Sequence, residues 1–205
     1  MLVYVATKNT GKLRELRALF DGRGWQLETY APYADVLEGD VSYAANAALK
    51  AQALREQLLA GGIVAPVLGD DSGIEVRALG NRPGVLSARY GGDGATWADR
   101  RARLRAELAA SGSSDRSARF VCALHFIDGD GYSIAAEATV AGAIAEEDCG
   151  SGGFSYDPIF WYPPAAKTFA ELEEHEKNLV SHRARAVAVL TENYRPSGKP
   201  QEAGM

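Results

Sequence analysis

Leu2-Val3-Tyr4-Val5-Ala6-Thr7-Lys8-Asn9-Thr10-Gly11-Lys12 begins as a short apolar, β-branched run and ends as a polar loop. The run has the composition of a buried strand. Beyond the loop, Leu13, Leu16, Leu19 and Phe20 recur at helical spacing, and Gly22 and Gly24 stop that helix before a second strand expected over residues 25–30. Strand, loop, helix and strand in that order favour an α/β layered fold.

Further along, Ser42 is placed to cap an Ala-rich helix that runs to about Leu59 and stops at Gly61-Gly62. Residues 64–68 read as a strand feeding Leu68-Gly69-Asp70-Asp71-Ser72-Gly73, which reads as a glycine-flanked turn, with extended chain again over residues 74–79. Thr96 and Asp99 open a helix carrying Arg100, Arg101, Arg103 and Arg105, a charge run that reads as a solvated face. Residues 119–127 and 132–140 alternate around Asp128-Gly129-Asp130-Gly131, the pattern of an antiparallel hairpin, so the sheet must be mixed. Residues 149–157 form a Gly-rich loop, Thr168 with Glu171 is expected to cap a helix, and Ser181 opens the last one. Residues 1–195 read as a single domain and residues 196–205 as a disordered tail.

At 205 residues, 46% hydrophobic and 24% charged, the chain is long enough for a full core. A net charge of -5 argues against a nucleic-acid polymer as partner, whereas a small phosphorylated ligand needs only a local cluster of cations. No stretch approaches ~18 uninterrupted apolar residues, and the start lacks a basic region followed by an apolar run, so no membrane partner and a cytoplasmic location are expected. Cys122 and Cys149 lack metal-ligand spacing and read as reduced thiols.

Two readings of Asp70-Asp71-Ser72-Gly73 stand side by side. Adjacent carboxylates repel, and burying them requires a cation or hydrogen-bond donors, which a divalent metal would satisfy; the alternative is an ordinary polar turn. On extended chain, neighbouring residues point to opposite sides, so only one of the two aspartates would face a ligand. The loop from Thr7 to Lys12 precedes a helix N-terminus, where free backbone N–H groups favour an anion. It is not a Walker loop, which would need glycine at Ala6 and a hydroxyl at Leu13. Lys8, Asn9 and Lys12 still supply donors for phosphate, against the alternative that both lysines are solvated. Gly152-Gly153-Phe154-Ser155-Tyr156-Asp157-Pro158 combines backbone freedom, aromatic rings and a carboxylate, a combination able to stack on a planar base. A serine hydrolase built on Ser155 and His182 is a weaker reading, because a nucleophile elbow would need glycine at Asp157. His175-Glu176 begins a zinc-protease motif that fails at Leu179, and His125 reads as structural.

Taken in order, Thr-x-Asn-x-x-Lys after the first strand, Asn-Ala-x-x-Lys-Ala from Asn46 to Ala51, Asp-Asp-Ser-Gly from Asp70, Pro-Gly-Val-Leu-Ser-Ala-Arg-Tyr from Pro83, Gly-Gly-Phe-Ser-Tyr-Asp-Pro from Gly152 and Ser-His-Arg from Ser181 resemble the inosine/xanthosine triphosphate pyrophosphatase family. The resemblance covers nearly the whole chain. It implies an elongated mixed sheet with two lobes around a nucleotide cleft, and a magnesium-dependent homodimer that hydrolyses ITP, dITP and XTP to the monophosphate and pyrophosphate. It further implies that Thr7, Lys8, Asn9, Thr10, Gly11 and Lys12 hold the triphosphate. Asp71 would bind metal and accept the proton of the attacking water, with Ser72 touching substrate. Phe154, Ser155, Tyr156, Asp157, Lys177, His182 and Arg183 would supply base and phosphate contacts. One departure stands out: the family usually has Glu, a metal ligand, where this chain has Ala45. Asp70, Glu38 or Asp40 could make up for it; the alternative is a nucleotide-binding protein of the same fold with weak turnover.

Overall fold

The computed structural model describes residues 1–195; the disordered tail expected at residues 196–205 lies outside the described residues. β1 (Leu2–Ala6) leads through the polar loop into α1 (Thr10–Phe20), and β2 (Gln26–Glu28) returns parallel to β1. Asn9 starts α1 by accepting the Lys12 backbone N–H on its Oδ1 at 3.0 Å. β2 is shorter than residues 25–30, because Trp25 leaves the ladder to stack on Phe20 at 4.8 Å. α2 (Tyr43–Ala60) begins at Ser42 as expected and buries Tyr43, Ala47, Ala51, Leu54 and Leu58 at helical spacing.

The expected turn at residues 69–73 is absent. The chain runs straight through it as β3 (Val67–Val76), and the acidic motif occupies the middle of a central strand. Neither Gly69 nor Gly73 has a positive φ. They are glycines because other backbone comes too close: a Cβ on Gly69 would overlap the Ala47 carbonyl oxygen of α2, and one on Gly73 would lie 2.6 Å from Ser87 Oγ. The chain leaves the strand at Val76 rather than Leu79, in a single turn of 3-10 helix.

β4 (Arg82–Pro83) is a short antiparallel edge on β3, and α3 (Trp97–Ala110) opens with the expected Thr96–Asp99 capping box. β5 (Ser117–Ile127) and β6 (Ser133–Ile144) form the expected hairpin, from Ser117 opposite Ala143 to Ile127 opposite Ser133. β7 (Phe160–Tyr162) and β8 (Lys167–Thr168) extend the sheet, which runs β2-β1-β3-β5-β6-β7-β8. The Thr168–Glu171 pair closes a turn and does not start a helix: Glu171 Oε2 accepts the Thr168 N–H at 2.8 Å. The helix begins later, as α4 (Glu174–Val180), where Glu173 and Glu176 form the capping box, and Ser181 then caps α5 (His182–Asn193).

The long strands β3, β5 and β6 carry separate apolar clusters at their two ends. At one end Val3, Leu16, Phe20, Leu68, Leu124 and Leu190 fill the space under α1 and α5, and α2 packs Leu54 and Leu58 on the opposite face. At the other end Ile74, Val76, Leu104, Leu108, Phe120 and Val140 gather beneath α3. Each such buried side chain stabilises the fold by roughly 1.5–3 kcal/mol. Between the clusters the sheet has a gap. β1 pairs with β3 only as far as Gly69, and β4 pairs with it only from Glu75, so residues 70–74 have no strand on that edge while β5 covers the other edge throughout. The α/β class, the mixed elongated sheet and the cleft between two lobes are therefore as the sequence implied.

Candidate active site

The gap opens into a cleft of about 350 Å³, within the size range of small-molecule sites. It is lined by Thr7, Lys8, Asn9 and Lys12 from the first loop, Asp71 and Ser72 from β3, and Phe154, Ser155, Tyr156 and Asp157 with Lys177, His182 and Arg183. Of the residues anticipated to catalyse or to touch substrate, Thr10 and Gly11 do not line it. Thr10 is exposed, and Gly11 lies beneath Phe154, so closely that a Cβ would approach the ring to 2.9 Å.

The alternation of β3 sends its two aspartates to different partners. Asp71 accepts a hydrogen bond from Asn46 Nδ2 at 3.0 Å and is paired with Lys50 Nζ at 3.0 Å. Asn46 and Lys50 are one turn apart on α2 and both buried, polar positions within an Ala-rich helix face. Lys50 also pairs with Glu38, which lines the cleft, whereas Asp40 and Ala45 are exposed and outside it. Burial works against the Lys50 ammonium, but the Asp71 and Glu38 charges outweigh it and push its pKa up. The open edge of β3 is used too: the Asp70 carbonyl accepts from Lys50 Nζ at 3.2 Å.

Asp70 points the other way and is enclosed. Its Oδ1 meets Lys12 Nζ at 2.5 Å, and its Oδ2 accepts from Arg183 Nε at 2.8 Å. Burial alone would raise its pKa; the Arg183 and Lys12 charges more than offset that and hold the carboxyl far below its ordinary range. Asp70 is therefore an anchor for two cations rather than a free ligand. Arg183 also donates from Nη2 to Ser72 Oγ at 2.9 Å.

The same cations reveal a residue that sequence reasoning missed. Glu15 of α1 is buried and bridges Arg183 Nη1 and Lys177 Nζ, the latter at 2.5 Å. Lys177 in turn reaches Asp157 Oδ2 at 2.6 Å, and the Phe154 N–H donates to the same oxygen at 2.6 Å. Nothing marked Glu15 in the sequence, where it reads as one more charge on a helix. The two carboxylates divide: burial raises Asp157, which has one cation, while Arg183 and Lys177 overcome burial to lower Glu15. Above them Lys177 Nζ and Arg183 Cζ lie 5.1 Å and 5.9 Å from the centroid of the Phe154 ring.

His182 is buried and stacked on Phe120 at 4.6 Å, and its Nδ1 has no partner. Burial and the neighbouring Arg183 and Lys177 hold its pKa well below the ordinary value, so the ring is neutral and keeps one nitrogen free to accept. Among the described residues no hydrogen bond joins it to Ser155, which leaves the serine-hydrolase reading without its nucleophile–base contact. His125 stands on β5 outside the cleft. The expectation that the α3 arginines form a solvated face fails at Arg101, which reaches across to the Gly-rich loop.

Known proteins resemble this chain over nearly its whole length. A curated relative from Geobacillus kaustophilus, a dITP/XTP pyrophosphatase, is 44% identical over 195 residues, 94% of this chain and 93% of that one. Another of the same description, from Thermus thermophilus, is 43% identical over 204 residues, 98% and 96% of the two chains. Among solved structures, a HAM1 protein from Coxiella burnetii superposes with a TM-score of 0.83 at 34% identity, covering 94% of this chain and 97% of its own. The model of the Ham1 family matches residues 3–193, and with relatives of this identity and coverage the chain belongs to the Ham1 family.

Proposed function

We propose that this protein hydrolyses aberrant purine nucleoside triphosphates, ITP, dITP and XTP, to the nucleoside monophosphate and pyrophosphate. The observation that carries the reading is what lines one cleft: Lys8 and Lys12, the Asp71 carboxylate, and the Phe154 ring with Lys177, Arg183 and neutral His182. A purine nucleoside triphosphate calls for cations, a carboxylate and an aromatic ring together, and the dITP/XTP pyrophosphatases are relatives over nearly the full span.

Lys8, Lys12 and Lys50 neutralise the triphosphate, a precondition for attack on a polyanion. Asp71, fixed by Asn46 and Lys50, takes the proton of the attacking water. Asp70 keeps Lys12 and Arg183 in place. Mg2+ is the ion that suits the donors. No group of three metal-binding side chains occurs among the described residues, but magnesium commonly takes one or two carboxylates together with phosphate oxygens and water. Asp71 would hold it, with Glu38 brought near by their shared Lys50, and the ion would supply charge neutralisation and a more acidic bound water. Glu38, rather than Asp40, thus offsets the missing carboxylate at Ala45.

At the base end, Lys177 and Arg183 present donors to a 6-keto oxygen. The 6-amino group of adenine would face them donor against donor and leave buried groups unpaired. A cytoplasmic location and a homodimer complete the reading; no helix among the described residues is long and apolar enough to cross a membrane. Incubation with a nucleotide panel and identification of products tests it. Pyrophosphate release from ITP, dITP or XTP, with ATP spared, is expected. Release of single phosphate, or no turnover of any 6-keto purine, overturns it, and tight ITP binding without turnover would select the weak-turnover alternative.

A further inference from the structure

The Gly-rich loop that carries Phe154 and Asp157 is tied within itself by the Phe154–Asp157 bonds and is held from outside by α3 as well. Ser155 sits in the left-handed region at φ 61°, a conformation that is unfavourable for a residue with a Cβ. Its backbone carbonyl accepts a hydrogen bond from Arg101 Nη1 at 2.8 Å. The same guanidinium grips the start of the loop, with Nε and Nη2 both 2.7 Å from Asp148 Oδ2. The Arg101 side chain is only 14% exposed, and its bond to the Ser155 carbonyl is partly buried whereas the Asp148 pair faces solvent. Trp97, one turn earlier on α3, packs edge-on against Tyr156 at 5.6 Å, and Tyr156 in turn donates its hydroxyl to the Ser87 carbonyl at 2.9 Å. Arg105 reaches Asp148 Oδ1 at 2.5 Å and makes no contact with Ser155.

We infer that Arg101 is a positioning residue for base recognition: from α3 it clamps residues 148–155 and so fixes Phe154 and Asp157 at the base end of the cleft. The inference rests on the proposed function for the identity of the ligand. Arg101 itself is absent from the cleft lining, and its action passes through the loop carbonyl. Its loss should therefore weaken ligands that carry a base and spare bare polyphosphate, which has no base for Phe154 and Asp157 to hold.

The test compares wild type, Arg101→Leu, Arg101→Lys and Arg105→Leu in steady-state hydrolysis of ITP, with IMP and inorganic tripolyphosphate as inhibitors. Arg101→Leu is expected to raise the KM for ITP and the inhibition constant of IMP by roughly tenfold or more, with kcat changed by less than about threefold and tripolyphosphate inhibition unchanged. Arg101→Lys should recover part of the IMP affinity, because an ammonium can still reach one oxygen. Arg105→Leu, which removes an ion pair from the same aspartate, should leave IMP inhibition near wild type. Equal weakening of IMP and tripolyphosphate, or equal effects of Arg101→Leu and Arg105→Leu, would reduce Arg101 to a structural residue and overturn the inference. Unchanged IMP inhibition in a folded Arg101→Leu overturns it as well. A wild-type protein that ignores both ITP and IMP overturns the functional reading, and the clamp with it.

Discussion

Asp70 and Asp71 are adjacent in the chain but their carboxylates share no partner, and substitution should separate their roles. Asp71→Asn keeps the size and the Asn46 contact while removing the base that accepts a proton and its pair with Lys50, which retains Glu38. Turnover should fall by about 10²–10⁴-fold with the fold intact, measured as ITP hydrolysis beside circular dichroism. Wild-type rates would refute its role. Asp70→Asn leaves Arg183 and Lys12 facing a neutral amide in a buried site. Breaking a buried pair in this way costs about 3–5 kcal/mol, readable as a lower denaturation midpoint. Because the folded-state pKa of Asp70 is depressed, its contribution is fully present above the unfolded value of about 3.9 and is lost as pH falls below it. The wild type should therefore lose stability through that acid window, and Asp70→Asn should show a shallower loss there. Parallel acid profiles would contradict the assignment.

At the scale of elements, β3 is where local preference and tertiary demand part. Glycine and aspartate are poor strand formers, so Gly69-Asp70-Asp71-Ser72-Gly73 has the composition of a turn. The structure holds these residues extended because β5 pairs with them continuously and because α2 and the 84–87 segment need the space that a side chain would fill. Gly69→Ala forces α2 away from the sheet against its own backbone. A loss of about 1–3 kcal/mol or more is expected in chemical denaturation, with activity falling too, since α2 carries Asn46 and Lys50 to Asp71. A neutral Gly69→Ala would show the packing to be looser than the structure has it. The same element scale explains the Thr168–Glu171 error. The sequence pattern of a capping box is present and one of its hydrogen bonds forms, but Phe169, Ala170 and Leu172 are drawn into burial and the chain cannot coil until Glu174.

For the whole molecule, a ligand in the cleft touches both ends of the long strands and so should tie the two apolar clusters together. With Asp71→Asn to prevent turnover, ITP at about a hundred times its dissociation constant should raise stability by about 2.7 kcal/mol, seen as a shift in melting temperature that ATP at the same concentration does not reproduce. Equal shifts by the two nucleotides would remove the proposed discrimination. What the sequence determined by itself was whatever is encoded locally. The opening strand, loop and helix, the caps at Ser42, Thr96 and Ser181 and the hairpin around residues 128–131 were legible because periodicity, capping and turn chemistry act over a few residues, and the candidate site residues came from the order of the motifs, which gave no role to Glu15, Asn46 or Lys50. The tertiary structure alone decided that the acidic motif is an open strand edge and that Asp70 serves two cations while Asp71 faces the cleft. It alone showed Glu15 joining Lys177 to Arg183, and Arg101 leaving its solvated face to hold a loop more than forty residues away. Those outcomes depend on which backbones approach and which charges are buried together, and neither exists until the chain has folded.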